Sequence, residues 1–334
     1  MPRLRRSDWR EPGFIRRRHG RGHLVLDAMG KRIVDDEVLQ RISELAIPPA
    51  WTDVWICADE HGHLQAVGID DAGRRQYLYH ERWRKQRDAE KHRVAQQLGR
   101  TLPRLRASCR RELKASGLSK ERVMATAVRL LDLGLFRIGS ERYAEENESF
   151  GLATLQRSHV FVTTKGVSFE YPAKSGQTSS FAITEPRVCS AVRDLLKRKD
   201  PSPELLGWWD AKLRVWCDLK SSHVNDYLRA TVGEGTSAKD FRTWHGSVLM
   251  AMHLSDLARD GTTLTNRRLK DMYKSVAEEL GNTATVARNS YVNPRVVDLA
   301  NQGLVIKQVR RQAHELVPIS ASNALLDLLE ADLT

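Results

Sequence analysis

The sequence predicts an α+β protein, with a small β-rich N-terminal domain and a larger, mainly helical domain that carries a small antiparallel sheet. Three observations support this prediction. From about residue 23 to residue 80, hydrophobic residues alternate with a period of two between glycine-bearing turns. Beyond residue 80, apolar residues recur mostly at helical spacing. One stretch, residues 160–183, returns to the alternating pattern, and we expect it to form the small sheet.

The chain of 334 residues is predicted to divide into three parts, a basic arm over 1–22, the β-rich domain over 23–90 and the helical domain over 91–334. The first 24 residues hold eight arginines against Asp8 and Glu11. Such a composition is typical of a solvated arm, and on a basic protein it also suits a segment that lies on phosphates.

The β-rich domain is predicted to be an antiparallel meander, because short runs of β-branched and aromatic residues are separated by turns. One helix is expected over residues 36–46, and Pro48 and Pro49 end it because proline removes a backbone donor. The expected strands are 23–28, 32–34, 54–58, 64–68 and 74–79.

The larger domain begins with a long basic helix predicted over 81–113, followed by a helix that Ser119 can cap. The small sheet is expected to contain strands 160–164, 167–171 and 181–183. Ser237 and Asp240 fit a capping-box variant at the start of another helix. The remaining helices are predicted over 187–198, 222–231, 237–259, 265–280, 283–291 and 323–329.

Charge and composition favour an intracellular protein that binds a polyanion. Lys and Arg outnumber Asp and Glu by 54 to 42, a formal net charge of +12, and the simplest acidic partner is nucleic acid. No run approaches the ~20 apolar residues of a membrane span, and the N-terminus lacks the apolar region of a secretory signal. The expected location is therefore the cytoplasm, on the nucleoid. The four cysteines, none of which forms a CxxC pair, are Cys57, Cys109, Cys189 and Cys217.

Several kinds of chemistry lack their motifs. The sequence contains no GxxxxGK[ST] phosphate loop and no HExxH. Cys57, His61 and His63 surround a predicted hairpin turn without an evident fourth ligand, so we interpret them as turn residues rather than metal ligands. We therefore expect neither a cofactor nor a required metal ion.

Phosphodiester chemistry without a metal needs a nucleophile, fixed cations for the nonbridging oxygens and a general acid for the leaving oxygen. Arginine suits the cationic role because its planar fork holds two oxygens, and lysine suits the acid role. Each candidate taken singly is more typical of surface charge, a helix cap or packing, so only their grouping is informative. The candidates are Arg137, Lys174, Arg242, Asn282 and Tyr291.

A set of ordered motifs resembles the type IB DNA topoisomerases, in the compact form shared by poxviruses and some bacteria. The resemblance covers nearly the whole chain, and several motifs at matching separations are far more specific than any one of them. The motifs are Ile47-Pro48-Pro49-Ala50-Trp51, Gly73-Arg74-Arg75-Gln76-Tyr77, residues 137–143, residues 146–155, Lys239-Asp240-Phe241-Arg242-Thr243, and Leu280-Gly281-Asn282 followed by Ser290-Tyr291.

The resemblance implies a reaction in which a tyrosine attacks one strand of duplex DNA, forms a 3′-phosphotyrosyl link and frees a 5′-hydroxyl. Rotation of the free end relaxes supercoils, and the hydroxyl then reseals the strand without ATP. Carried over by position, Tyr291 is the nucleophile, Arg137 and Arg242 hold the transition-state oxygens, and Lys174 is the general acid. Asn282 stands where many relatives have His, and an amide donates a hydrogen bond without changing charge near neutral pH.

The resemblance also implies a clamp around duplex DNA, with the β-rich domain as one jaw and the protein acting as a monomer. It places Gln76 and Tyr77 on the DNA face of that domain, and Tyr143 on the DNA face of the catalytic domain. Strand alternation adds Arg74 and Tyr79 as candidate phosphate or groove contacts.

Two other functions remain open from the sequence. Tyrosine recombinases use similar chemistry but typically carry His three residues before the second arginine, where this chain has Lys239, and here His245 follows Arg242 instead. The second alternative is a DNA-binding protein without catalytic activity. Relaxation of a single supercoiled plasmid by a monomeric protein distinguishes a topoisomerase from a recombinase, and relaxation in EDTA distinguishes the enzyme from a non-catalytic DNA-binding protein.

Overall fold

The computed structural model describes residues 3–20, 22–133, 136–139, 149–309 and 317–331, with the side chain of residue 175 left aside. The chain divides into two compact units, residues 1–90 and 91–334. The first contains a five-stranded antiparallel sheet, and the second is mainly helical with two small sheets. The α+β prediction is therefore confirmed.

The sheet of the first unit has the strand order β2-β1-β3-β4-β5, with every neighbouring pair antiparallel. Its inner face packs on α1, which begins where the Asp35 side chain accepts from the amides of Glu37 and Val38. The elements are β1 (Phe14–His19), β2 (Gly22–Leu26), α1 (Asp36–Glu44), β3 (Thr52–Ile56), β4 (Leu64–Ile69) and β5 (Arg75–Tyr79).

The cross-strand register defines which residues share each face of this sheet. Phe14, Ile56, Ala66 and Leu78 are neighbours on the inner face and belong to the small hydrophobic core. Because side chains alternate along a strand, the next row lies on the outer face. That row runs from Ile15 through Trp55 and Val67 to Tyr77.

The first unit differs from the prediction at its N-terminal end. Residues 14–19, expected in a solvated arm, form β1 inside the sheet. Arg16 is accommodated there because its guanidinium donates to the carbonyls of Ile47, Pro48 and Trp51. The expected strand 32–34 is wrong, since Arg32 makes only an isolated bridge to Leu26.

The second unit has one large hydrophobic core enclosed by helices. The Ser119 cap is confirmed, since its hydroxyl accepts from the Arg122 amide. The helices are α2 (Glu81–Glu112, whose first residues belong to the first unit), α3 (Lys120–Asp132), α4 (Pro186–Leu196), α5 (Ser221–Val232), α6 (Lys239–Arg259), α7 (Asn266–Glu279), α8 (Ala284–Val286), α9 (Pro294–Asn301) and α10 (Ile319–Ala331).

The small sheet has the order β6-β7-β8, as the alternating stretch predicted, with strands β6 (Val160–Val162), β7 (Val167–Pro172) and β8 (Thr178–Ile183). A second antiparallel pair, β9 (Gly207–Asp210) and β10 (Val215–Asp218), was not predicted. Its four-residue strands are too short for a clear alternation signal.

Helix α6 is buried on nearly all sides, and its position organises the second unit. Ser237 donates through its amide and hydroxyl to the Asp240 carboxylate, which is one half of the predicted capping box. The N-cap residue is Ala238, and it makes no side-chain cap bond. Trp244 packs on Gly99 of α2, where an added Cβ would lie 2.5 Å from the indole, and its Nε1 donates to Ser322 Oγ at 2.8 Å. In the described parts of the chain, no helix is long and apolar enough to span a bilayer.

Candidate active site

Arg242 and Tyr291 are in direct contact in the second unit. Arg242 lies in the first turn of α6, and its Nε donates to the Tyr291 hydroxyl at 3.4 Å. The guanidinium carbon lies 5.1 Å from the centre of the tyrosine ring. Both side chains are largely buried, with 2% of Arg242 and 8% of Tyr291 exposed.

A π-helical turn over Ala287–Tyr291 presents the tyrosine. The amide of Val292 donates to the carbonyl of Ala287 at 2.9 Å, the i to i+5 bond that widens the helix by one residue. The sequence predicted a helix over 283–291, and the structure has a π-helical turn over its last five residues. The spacing of apolar residues does not distinguish such a turn from a regular helix. Such turns are frequent at functional sites.

Helix α6 also holds the main chain of Tyr291. Ser247 donates from its hydroxyl to the Tyr291 carbonyl at 3.2 Å and accepts from the Asn293 amide at 3.0 Å. Gly246 allows this close approach, because an added Cβ would lie 3.0 Å from Tyr291 Cβ. The nucleophile candidate is therefore seated on the helix that carries Arg242.

The turn Leu280-Gly281-Asn282 joins the two predicted catalytic arginines. Arg242 donates to the Leu280 carbonyl, and Arg137 donates to the Gly281 carbonyl and, at 2.7 Å, to Asn282 Oδ1. Gly281 has a φ of +60°, a conformation that favours glycine and lets the chain turn directly after α7. Four predicted residues, Arg137, Arg242, Asn282 and Tyr291, therefore lie in one connected cluster.

The short segment around Arg137 is fixed by its own backbone. The carbonyls of Arg137 and Ile138 accept from the amides of Leu152 and Ala153, each at 2.8 Å. Gly139 and Gly151 cross so closely that a Cβ on Gly151 would lie 2.4 Å from the Gly139 amide nitrogen. Close packing of the two backbone segments therefore requires glycine at positions 139 and 151.

Lys174 stands apart from this cluster. It lies in the exposed turn between β7 and β8, and no hydrogen bond or ion pair links it to another residue in the described parts of the chain. Its turn is connected to the segment that follows Arg137, because the Phe150 amide donates to the Pro172 carbonyl at 2.8 Å. Its assignment as general acid stays a prediction.

The electrostatics of the cluster favour the ionised form of the tyrosine. Burial alone raises the pKa of a phenol, but the charge and hydrogen bond of Arg242, with smaller effects of Arg137 and Lys239, outweigh it and hold the pKa of Tyr291 below its usual value. Arg242 Nη1 is buried and has no hydrogen-bond partner among the described residues. A buried cationic N–H without a hydrogen-bond partner is costly, and an anion such as a phosphate oxygen can accept its hydrogen bond.

Tyr171 on β7 is a second tyrosine near the arginines, and no sequence motif indicated it. Burial raises its pKa, while a hydrogen bond with Ser179 and the charges of Arg137 and Arg242 act in the opposite direction. Its ring stacks on Phe136, the residue before Arg137, at a centroid distance of 6.1 Å. Tyr171 therefore forms part of the wall next to the cluster.

A buried ion cluster behind Arg242 was also missed. Asp132 accepts two hydrogen bonds from Arg106, at 2.7 and 2.8 Å, and a further one from Arg129. His245 Nε2, one turn after Arg242, lies 3.5 Å from Asp132 Oδ1 and is fully buried. These residues connect α2, α3 and α6. Because they are far apart in sequence, no local pattern indicated that they form one ion cluster.

The predicted DNA contacts of the first unit fall into two groups. Arg74 and Gln76 both bond to the Asp70 carboxylate, which holds the pKa of Asp70 at about 2. Tyr77 and Tyr79 are exposed on the outer face, with rings stacked at 6.3 Å. Tyr143 lies outside the described residues.

Comparison with known proteins agrees with the motifs. A family model described as eukaryotic DNA topoisomerase I, catalytic core, matches residues 80–316, and one described as bacterial DNA topoisomerase IB, N-terminal domain, matches residues 22–70. The chain belongs to the type IB DNA topoisomerases, which are isomerases that act on DNA. The resemblance inferred from the sequence is thereby confirmed.

Two viral relatives match over most of their length. The DNA topoisomerase 1B of Acanthamoeba polyphaga mimivirus is 27% identical over 266 residues, which cover 78% of this chain and 79% of the relative. The DNA topoisomerase 1B of vaccinia virus (strain Copenhagen) is 22% identical over 270 residues, covering 79% and 81%. DNA topoisomerase 1 beta of Arabidopsis thaliana is 26% identical over 178 residues, 53% of this chain and 18% of the plant protein.

Proposed function

We propose that this protein relaxes supercoiled duplex DNA by cutting one strand, forming a phosphotyrosyl link at Tyr291 and resealing the strand. The observation that carries the proposal is the contact between the buried Tyr291 hydroxyl and Arg242, whose Nη1 still lacks a partner among the described residues. The same guanidinium thus contacts the phenol through Nε and keeps a further N–H for a phosphate.

The cluster supports each part of that attack. The phenol of Tyr291 loses its proton more readily than a free phenol because Arg242 stabilises the phenolate. Its oxygen then bonds to phosphorus as the bond to the 5′-oxygen breaks. Arg242 and Arg137 supply fixed positive charge where the nonbridging oxygens gain negative charge, and this electrostatic stabilisation is a major catalytic term.

Asn282 and Lys174 have supporting parts in the proposal. Asn282 Oδ1 accepts from Arg137, and its Nδ2 donates to the Leu280 carbonyl at 3.3 Å. An amide carries two N–H donors, so one remains for a nonbridging oxygen. Lys174, on its exposed turn, would donate a proton to the 5′-oxygen as that oxygen leaves.

Resealing reverses these steps. The 5′-hydroxyl passes its proton to the Lys174 amine as its oxygen attacks the phosphotyrosyl phosphorus, and the phenolate leaves. The covalent link has kept the bond energy between the two steps, so no ATP is consumed. Between the two steps the free end rotates and torsion is lost. We propose that the protein does this as a monomer, on the DNA of the nucleoid and without a required metal ion.

Relaxation of a negatively supercoiled plasmid in EDTA and without ATP tests the proposal. The unaltered protein should relax the plasmid at low salt, and denaturation during the reaction should trap protein on the 3′ end of the broken strand. Tyr291→Phe should bind the plasmid without relaxing it. Tyr273→Phe is a matched control, because Tyr273 is a buried tyrosine on α7.

The result also separates the alternative functions. Failure of the unaltered protein to relax the plasmid under these conditions, together with no exchange of strands between two duplexes, leaves a non-catalytic DNA-binding protein. Exchange of strands between two duplexes, without relaxation of one, identifies a recombinase. Covalent adduct from Tyr291→Phe contradicts the choice of nucleophile.

A further inference from the structure

The basic N-terminal segment is docked on the first unit. The Arg5 amide donates to the His61 carbonyl at 2.9 Å, and the His63 amide donates to the Arg5 carbonyl at 2.8 Å. Ser7 Oγ donates to the Leu64 carbonyl at 3.0 Å and accepts from the Leu64 amide at 3.1 Å. Backbone pairing of this kind gives residues 5–7 a defined position.

The next residues of this segment cross the outer face of the sheet. Trp55, which lies on that face, donates from Nε1 to the Glu11 carbonyl at 3.0 Å. Gly13 passes so close to Trp55 that an added Cβ would lie 2.3 Å from Nε1. Trp9 and Arg10, between these two anchors, are therefore held beside β5.

Trp9 and β5 together form a strip of aromatic rings and guanidinium groups. Arg75 lies over the Trp9 ring with its Cζ 4.1 Å from the centroid, and Arg10 lies 5.7 Å from the same ring. Because residues alternate along β5, Arg75 shares the outer face with Tyr77 and Tyr79. We call this set, Trp9, Arg10, Arg75, Tyr77 and Tyr79, the outer strip.

The positive charge of the outer strip is not neutralised by neighbouring carboxylates among the residues that the structure describes. Arg10 and Arg75 are exposed, and neither forms an ion pair with a carboxylate in the described parts of the chain. Asp8 lies nearby, and one of its carboxylate oxygens caps the local turn by accepting from the Arg10 amide at 3.0 Å. The indole orients the Arg75 guanidinium while leaving its N–H groups at the surface.

We propose that the docked N-terminal segment extends the DNA-binding surface of the first unit, with Arg10 and Arg75 binding phosphates of the duplex backbone. This inference rests on the proposed function, because it takes duplex DNA as the substrate. Exposed guanidinium groups held by aromatic rings suit a phosphate, since the planar fork binds two oxygens and stays charged at any relevant pH. The chain's net charge of +12 favours the same polyanion over a protein partner.

The test measures equilibrium binding of a linear duplex by the full chain that carries Tyr291→Phe, so that no covalent adduct forms. Adding Arg10→Ala removes one proposed phosphate contact, so the slope of log affinity against log salt should become less steep by about 0.9. A rise in salt from about 50 to 200 mM should then cost this variant about threefold less affinity than its parent. Arg75→Ala, made separately, should give a similar change.

Arg18→Ala is the matched control. Arg18 is an exposed arginine of β1 that alternates to the face opposite Ile15 and Arg17, so its removal changes the charge of the unit equally without touching the outer strip. Its salt slope should equal that of the parent. Equal slopes and affinities for Arg10→Ala, Arg75→Ala and Arg18→Ala overturn the proposal.

Failure of this inference is distinguishable from failure of the proposed function. Plasmid relaxation by the unaltered chain tests the function alone. If the plasmid is relaxed while the outer strip variants bind with the parent's salt slope, the N-terminal segment makes no phosphate contact, and this inference fails while the proposed function stands.

Discussion

Tyr291 presents its hydroxyl 3.4 Å from Arg242 Nε, and the two side chains come from segments 49 residues apart in sequence. The same helix that carries Arg242 also carries Gly246 and Ser247, which contact the backbone of Tyr291. The nucleophile candidate and the cation that lowers its pKa are thus positioned by one rigid element. This arrangement makes catalysis sensitive to small changes on one face of α6.

Replacing Arg242 by alanine should slow strand cleavage strongly. Arg242 both stabilises the phenolate and offers an N–H to the phosphate, and loss of a single preorganised donor typically costs about 10²- to 10³-fold in rate. Single-turnover adduct formation at saturating DNA measures the effect. Arg259→Ala, an exposed arginine at the other end of α6, should keep the original rate. A cleavage rate within about twofold of wild type for Arg242→Ala would remove it from the mechanism.

The cleavage rate should rise with pH and level off below the pKa of about 10 of a free phenol. The phenolate is the attacking form, and the pKa of Tyr291 is lowered by Arg242, so the ionised fraction increases at lower pH than in free tyrosine. Single-turnover rates across pH 6 to 10 measure the profile, where chemistry limits the rate. In Arg242→Lys, whose ammonium lacks the planar fork, the midpoint of the pH–rate profile should move upward. An unchanged midpoint would show that Arg242 does not lower the pKa of Tyr291.

Gly246→Ala should impair cleavage without unfolding the protein. The new methyl would lie 3.0 Å from Tyr291 Cβ and 3.3 Å from Leu280 Cδ1, so the tyrosine must shift. Alanine also raises helix propensity by about 1 kcal/mol, which opposes any loss of stability. We expect an unchanged or slightly altered Tm, unchanged DNA binding and a cleavage rate reduced by about tenfold or more, since small misplacements are costly in catalysis.

If Gly246→Ala loses both cleavage and thermal stability, the substitution disrupts the packing of α6 in general, and the prediction of a specific shift of Tyr291 is wrong. Ala251→Gly, further along the same buried helix, provides the comparison, because it changes helix propensity without a contact to Tyr291. It should lower the Tm while leaving the cleavage rate at saturating DNA intact.

Lys174→Ala should lose most of its cleavage rate on ordinary DNA and recover much of it when the leaving 5′-oxygen is replaced by sulfur. A thiolate is a good leaving group and needs no proton, so the general acid becomes dispensable. Cleavage of matched oxygen- and sulfur-containing strands measures the rescue. Lys165→Ala, in the turn between β6 and β7, is the control and should leave both rates unaltered. Equal losses on both strands would exclude the acid role.

His245 should make the protein less stable as pH falls below its unfolded pKa of about 6.5. Burial lowers the pKa of the folded imidazole more than the Asp132 carboxylate raises it, so the unfolded chain binds the proton more tightly. The free energy of unfolding should then fall by up to about 1.4 kcal/mol per pH unit. Denaturant unfolding at pH 7 and pH 5.5 measures it, and His245→Gln should show a smaller dependence than the unaltered chain.

The fold was largely predictable because its signals are local. Helix α3 was predicted with its cap, and the start of α6 with the Ser237–Asp240 contact, since Ser119 and Asp240 each bond to a group only three residues away. Two departures, β1 in a run of arginines and the hairpin of β9 and β10, arise where local composition conflicts with long-range pairing. Arg16 fits inside β1 only because carbonyls 31 to 35 residues away accept its hydrogen bonds.

The sequence alone determined the chemical inventory: the catalytic candidates, their order along the chain and the family they indicate. Only the tertiary structure decided which of them meet. Arg137 reaches Asn282 across 145 residues, the irregular turn aims Tyr291 at Arg242, and Lys174 lies on a separate turn. Propensity and periodicity depend on neighbours within a few residues, whereas the geometry of a site depends on how distant elements pack, so these local signals do not show which side chains touch.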